Sequence, residues 1–113
     1  MIFGFKGEYK FLSNFYPANV RIAGIEFPTS EHAYQAAKFK SEEIARYIAT
    51  MPSPKNAKRF AVKKSGIRED WDNIRVDAME RIVREKFIQN ENLAWLLIDT
   101  GNQEILEANY WND

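Results

Sequence analysis

A carboxylate, an imidazole, an amide and an amine stand close together at Glu31, His32, Gln35 and Lys38, and no other segment gathers as many chemically capable groups. Thr29 and Ser30 are N-cap residue types, and Glu31 suits the positive end of a helix dipole, so a helix is expected to begin here. Offsets of four and three place Glu31, Gln35 and Lys38 on one face, while Ala33, Ala36, Ala37 and Phe39 suit a closely packed buried side. A polar face beside a tight apolar one can wall a pocket. A fixed carboxylate there could act as a base, or stabilise the oxocarbenium-like cation that develops when a glycosidic bond is hydrolysed. The ordinary account of the same acid is dipole complementarity alone. His32 offers less: a lone imidazole beside a helix start reads as a surface or capping group, with no nucleophile of known geometry beside it.

Further candidates are spread along the chain. Asn14, Phe15 and Tyr16 form an aromatic loop that could stack on a base and bond its edge, or simply plug the core. Lys55, Arg59 and Lys63 lie four apart and, with Lys58 and Lys64, could neutralise phosphates; a solvated helix face explains the same run. Trp71 and Trp111 could each be a platform for a flat base, whereas Trp95 has helical neighbours and reads as core. Lys86 and the pair Gln89-Asn90 close the longest helical segment, where a cation is favourable for dipole reasons alone.

These groups need a frame. Balanced charge, 16 acidic against 16 basic residues, gives no electrostatic case for non-specific nucleic-acid binding by the chain as a whole. The absence of cysteine excludes disulfides and thiolate chemistry, and a single His allows no cluster of zinc-ligand spacing, so no metal or cofactor is expected. Met1 to Lys6 is too short for a signal sequence and no apolar run approaches a membrane span, which leads us to expect a cytoplasmic protein with no membrane partner. At 113 residues with 14% aromatics, one domain over 1–113 with a real core is expected. Alternation of Phe3, Phe5, Tyr9 and Phe11 suggests one or two strands around a turn at Gly7. Val20, Ile22, Ile25 and Phe27 flank Ala23-Gly24 as a hairpin. Helices are expected from Ser30, over 42–50, from Ser53-Pro54 to near Gly66, over 70–89 with a stripe of Trp71, Ile74, Ala78, Met79, Ile82, Val83 and Phe87, and over 93–100, with Ile105-Leu106 as a last strand. The sum is an α+β fold, a predominantly helical single domain with a small antiparallel sheet.

The segments FLSNFYP, FPTSEHAYQAAKF, the Lys58 region, DWDNIRVDAMERIVREKFIQN, LLIDTGN and ILEANYW, in this order, resemble the NADAR family, also called YbiA-like. The resemblance covers nearly the whole chain, and its most distinctive parts are the motif around Glu31 and the pattern of Lys86, Phe87, Gln89 and Asn90. It implies an N-glycosidase that cleaves the bond between ribose C1 and an amine or base nitrogen. The substrate class is either a phosphorylated ribosylamino-pyrimidine intermediate of riboflavin synthesis or ADP-ribosylated guanine in nucleic acid. In the latter setting it implies functional pairing with an ADP-ribosyltransferase. The family's glutamate falls on Glu31 and its two tryptophans on Trp71 and Trp111, the catalytic set. Asn14, Phe15, Lys38, Lys58, Lys86 and Asn90 fall on further motif positions, as substrate-binding candidates. One departure stands out: an aspartate common in the family three residues before the last tryptophan is Ala108 here, leaving Glu107 and Asn109 beside it as candidates for its role. That departure sustains an alternative, a module that binds ADP-ribose or a related nucleotide without cleaving it.

Overall fold

The structure is a computed structural model and describes residues 2–3, 7–101 and 105–106. The hairpin forms as the sequence suggests. Strands β2 (Val20–Ile22) and β3 (Ile25–Phe27) pair antiparallel with Val20 opposite Phe27, and the turn between them puts both central residues at positive φ, Ala23 at 51° and Gly24 at 81°. That is the geometry of a type I′ turn, whose twist suits a two-residue hairpin loop. β1 (Ile2–Phe3) and β4 (Ile105–Leu106) make a separate parallel pair.

Five helices supply most of the domain: α1 (Ser30–Ala37), α2 (Glu42–Ala49), α3 (Pro54–Lys63), α4 (Trp71–Gln89) and α5 (Glu91–Asp99). Three starts carry side-chain caps, with Thr29, Ser41 and Ser53 accepting from the backbone N–H of His32, Ile44 and Asn56. α1 lies at the centre, packed on α2, α3 and α4. Ala33 and Ala36 on α1 and Ala57 and Ala61 on α3 are buried, and residues this small allow a close approach of the two helices. Around them the main core gathers Val20, Phe27, Tyr34, Ile48, Trp71 and Ile82. A second cluster joins Phe11, Leu12 and Ala18 to Phe87 and Leu93, with the Phe11 and Phe87 rings edge to face at 6.3 Å.

Two expectations are corrected. Gly7–Leu12 is a 3-10 helix and not a strand, because consecutive residues Phe11 and Leu12 are both buried against α4 and α5, which an alternating strand cannot arrange; Phe5 lies outside the described residues. Trp95 is not core: it is 62% exposed, since α5 buries Leu93 and turns Trp95, Leu96 and Ile98 outward. The α4 stripe is as expected, with Trp71, Ile82 and Phe87 buried and Ile74, Ala78, Met79 and Val83 packed beside them. No helix among the described residues is long and apolar enough to cross a membrane.

Candidate active site

Glu31 sits in the first turn of α1 and is only 6% exposed. Its backbone N–H donates to the Asn14 carbonyl at 3.0 Å, so the loop before the hairpin closes over the helix start. Its carboxylate Oε2 accepts from Gln35 Nε2 at 2.5 Å, a bond set by the four-residue offset within one helix. Gln35 is fully buried and therefore holds the carboxylate in one orientation. The acid is thus fixed by its own helix and by the loop above it.

Tyr34 and Lys38 continue the same side of α1. The Tyr34 ring meets Trp71 at 5.1 Å with a 56° tilt, and Lys38 Nζ stands 5.9 Å from the Tyr34 centroid. Trp71 reaches this place because the chain before α4 is tied down: Arg68 N–H donates to the Lys38 carbonyl at 2.8 Å, and the Arg68 guanidinium grips both Asp70 oxygens at 2.6 and 3.0 Å. The Arg68 hydrogen bonds hold the Asp70 carboxyl below its usual range. Asp70 therefore spends its carboxylate on Arg68 and not on capping α4. Trp71 is 6% exposed, yet its Nε1–H has no partner among the described residues. A buried donor of this kind normally finds an acceptor, in the protein or in a bound molecule.

His32 is buried and is not the cap of its helix, against the surface or capping place expected of it. It is 1% exposed, with Nε2 3.0 Å from the Met51 carbonyl and Nδ1 2.8 Å from the Thr29 hydroxyl. A carbonyl only accepts, so Nε2 carries the proton and Nδ1 accepts from Thr29. Burial lowers the His32 pKa, against a smaller opposite push from the Met51 carbonyl. His32 is a neutral tie between α1 and the end of α2.

The loop residues divide by exposure. Asn14 is buried and its amide Nδ2 donates to Met79 Sδ at 3.2 Å, while Phe15 is 41% exposed, its N–H bonded to Ser13 Oγ at 3.0 Å. Lys58 is half-buried on α3; Lys55, Arg59 and Lys63 are exposed. Lys86 is 1% exposed, with Nζ donating to the carbonyls of Phe11 at 2.6 Å and Ser13 at 2.8 Å. Gln89 pairs with both backbone groups of Arg21, and Asn90 Nδ2 donates to the carbonyls of Asn19 and Lys86. The polar residues that close α4 therefore staple it to segment 11–21. Glu107, Ala108, Asn109 and Trp111 lie outside the described residues.

The structure thus brings Asn14 to Glu31, and links Lys38 to Trp71 through Tyr34. It gives Gln35 its role and adds two residues, Tyr34 and Met79, that the sequence did not place in the site. Gln35 and Tyr34 were signalled by their offsets from Glu31; Met79 had no local signal, its bond to Asn14 spanning 65 positions. A groove of about 410 Å³ between the hairpin and α1–α2 lies on the other side of α1, against Ala33, Ala36 and Ala37, and takes in none of Glu31, Lys38 or Trp71.

Known proteins resemble this chain over most of its length. The NADAR domain profile matches residues 3–112. A riboflavin biosynthesis protein of Vibrio vulnificus is 39% identical over 94% of this chain and 30% of its own length. N-glycosidase YbiA of Escherichia coli is 32% identical over 94% of this chain and 69% of its own. The NMR structure of E. coli YbiA superimposes with a TM-score of 0.77, covering 90% of this chain and 63% of that one. The chain thus spans under a third of the Vibrio protein and about two-thirds of YbiA. With the profile matched over almost all of its length and this fold shared, the chain belongs to the NADAR domain family.

Proposed function

We propose that this chain is an N-glycosidase, hydrolysing the bond between a ribose C1 and the nitrogen of a base or amine. The observation that carries this reading is the buried Glu31 carboxylate, oriented by Gln35 at the start of α1. Departure of the nitrogen leaves positive charge on C1 and the ring oxygen, and a preorganised carboxylate stabilises that charge without reorganising. Water then adds to C1, one proton leaving with the departing nitrogen and the hydroxyl remaining on the ribose. Phe15, Trp71 and Trp111 are proposed to hold the base or ribose, Trp71 with its unspent Nε1–H as well as its ring. Lys38 and Lys58 are proposed to meet phosphate, and Glu107 or Asn109 to take the role of the family aspartate replaced by Ala108.

For the substrate, a phosphorylated ribosylamino-pyrimidine is the reading favoured by a relative named for riboflavin biosynthesis. The exposed cations Lys55, Arg59 and Lys63 on α3, which packs on α1, favour a second reading, ADP-ribosylated guanine in nucleic acid, with an ADP-ribosyltransferase as functional partner. A mass-spectrometric release assay with both substrates tests this. Ribose phosphate freed from the pyrimidine alone supports the first reading, and ADP-ribose freed from DNA alone supports the second. Tight ligand binding with no product from either would replace both by the non-catalytic nucleotide-binding module.

A further inference from the structure

Lys86 belongs to the family motif, yet its surroundings are unlike a ligand's. Its ammonium is met by two carbonyls, Phe11 O at 2.6 Å and Ser13 O at 2.8 Å, and by the faces of Phe87 and Tyr16 at 5.3 and 5.9 Å. No carboxylate among the described residues pairs with it, and burial pushes its pKa down to about 8. Burying a cation without a counter-ion is costly, so the contacts it makes need a reason. Phe11 O is among the last carbonyls of the 3-10 helix, acceptors that a helix end leaves without partners. Ser13 O begins the loop whose next residue, Asn14, gives its carbonyl to Glu31 N–H, and whose Ser13 hydroxyl holds Phe15 N–H. Two hydrogen bonds joined by the Ser13–Asn14 peptide therefore link Lys86, 73 positions from Ser13, to the backbone of Glu31.

We propose that Lys86 is a positioning residue, whose ammonium clamps the Ser13–Phe15 loop against the start of α1 and so sets Asn14 and Phe15 relative to Glu31, without touching the substrate's phosphate. The proposal rests on the reading of Glu31 as the reacting site, but its first test does not. In the full chain, Lys86→Met keeps a side chain of similar length and removes the donors. Native-state amide exchange should show the Phe15 and Glu31 N–H groups losing about 10-fold or more of their protection, while amides within α2 and α3 stay as in wild type. With a phosphorylated ribosylamino-pyrimidine, kcat should fall about 10-fold or more with KM changed less than about 3-fold, the mark of lost geometry and not of lost phosphate binding. Unchanged exchange at Phe15 and Glu31, or a rise in KM with kcat intact, overturns it. Altered exchange with no turnover of either this pyrimidine or DNA carrying ADP-ribosylated guanine, even in wild type, leaves the clamp standing and removes the glycosidase reading instead. Should Lys86→Met not fold, ¹⁵N spectra of the wild-type lysine Nζ groups decide. Titration with ribose 5-phosphate should leave the Lys86 signal in place, and a shift of that signal overturns the proposal.

Discussion

α1 and α3 both carry polar residues at helical spacing, Glu31-Gln35-Lys38 on one and Lys55-Arg59-Lys63 on the other, and they come to opposite ends. The α1 set is buried, with Glu31 bonded to Gln35 and Lys38 beside the Tyr34 ring. The α3 set points to water. Spacing puts groups on one face in both helices; the difference comes from what that face meets. α1 is enclosed by three helices and a loop, whereas the outer face of α3 is enclosed by nothing among the described residues. Preorganised electrostatics needs the first situation, because exposed charges are screened and mobile.

Buried charge gives the largest expected effect. Because the folded pKa of Lys86 is lowered to about 8, the unfolded chain binds more protons between about 8 and 10.5, and stability should rise with pH across that window. The full shift corresponds to about 3 kcal/mol. Urea denaturation at pH 7.5 and 10 should show this rise in wild type and lose it in Lys86→Met, while Lys63→Met should keep it. The clamp itself should survive, since a neutral amine still has two N–H groups for the two carbonyls. Next in size, Gln35→Leu strips the Glu31 carboxylate of a buried donor and should cost about 1–3 kcal/mol in the same assay. An effect under about 0.5 kcal/mol would mean that the carboxylate is held by other groups.

Ser53→Ala removes the cap at the start of α3 and should cost about 1 kcal/mol, although every charged residue of that helix is left in place. Protonation of His32 is resisted in the fold, so the unfolded chain takes up its proton first as pH falls below the ordinary 6.5, and stability is lost there. His32→Gln should flatten that acid limb in denaturation curves taken from pH 7.5 to 5. Smallest of all, Lys55→Ala, Arg59→Ala and Lys63→Ala should each change stability by less than about 0.5 kcal/mol. A larger loss would mean that the α3 cations are bonded in solution and would erase the contrast with α1.

Much of this was legible in the residues. The cap at Thr29, the hairpin at Ala23-Gly24 and the Ser53-Pro54 start are local chemistry, and each formed as the local chemistry requires. What failed depended on distant partners. The Phe11-Leu12 pair folds as 3-10 helix because Phe87 and Leu93 receive both side chains, and Lys86 satisfies its end from α4. α5 is apolar on every side, at Leu93, Trp95, Leu96, Leu97 and Ile98, so periodicity could not say which face turns inward. His32 reads as a surface or capping group because its second partner, Met51, lies 19 positions on. In the site, Glu31 and Gln35 were readable from an offset of four, whereas the Asn14 loop above them was not.

We propose that the carboxylate held on α1 performs the chemistry. Its most direct test is single-turnover product release by wild type and Glu31→Gln with the phosphorylated ribosylamino-pyrimidine and with DNA carrying ADP-ribosylated guanine, thermal unfolding being measured on the same samples. Glu31→Gln should release product about 10²–10⁴-fold more slowly on whichever substrate wild type cleaves, with a closely similar Tm. Near-native release by the variant would contradict it.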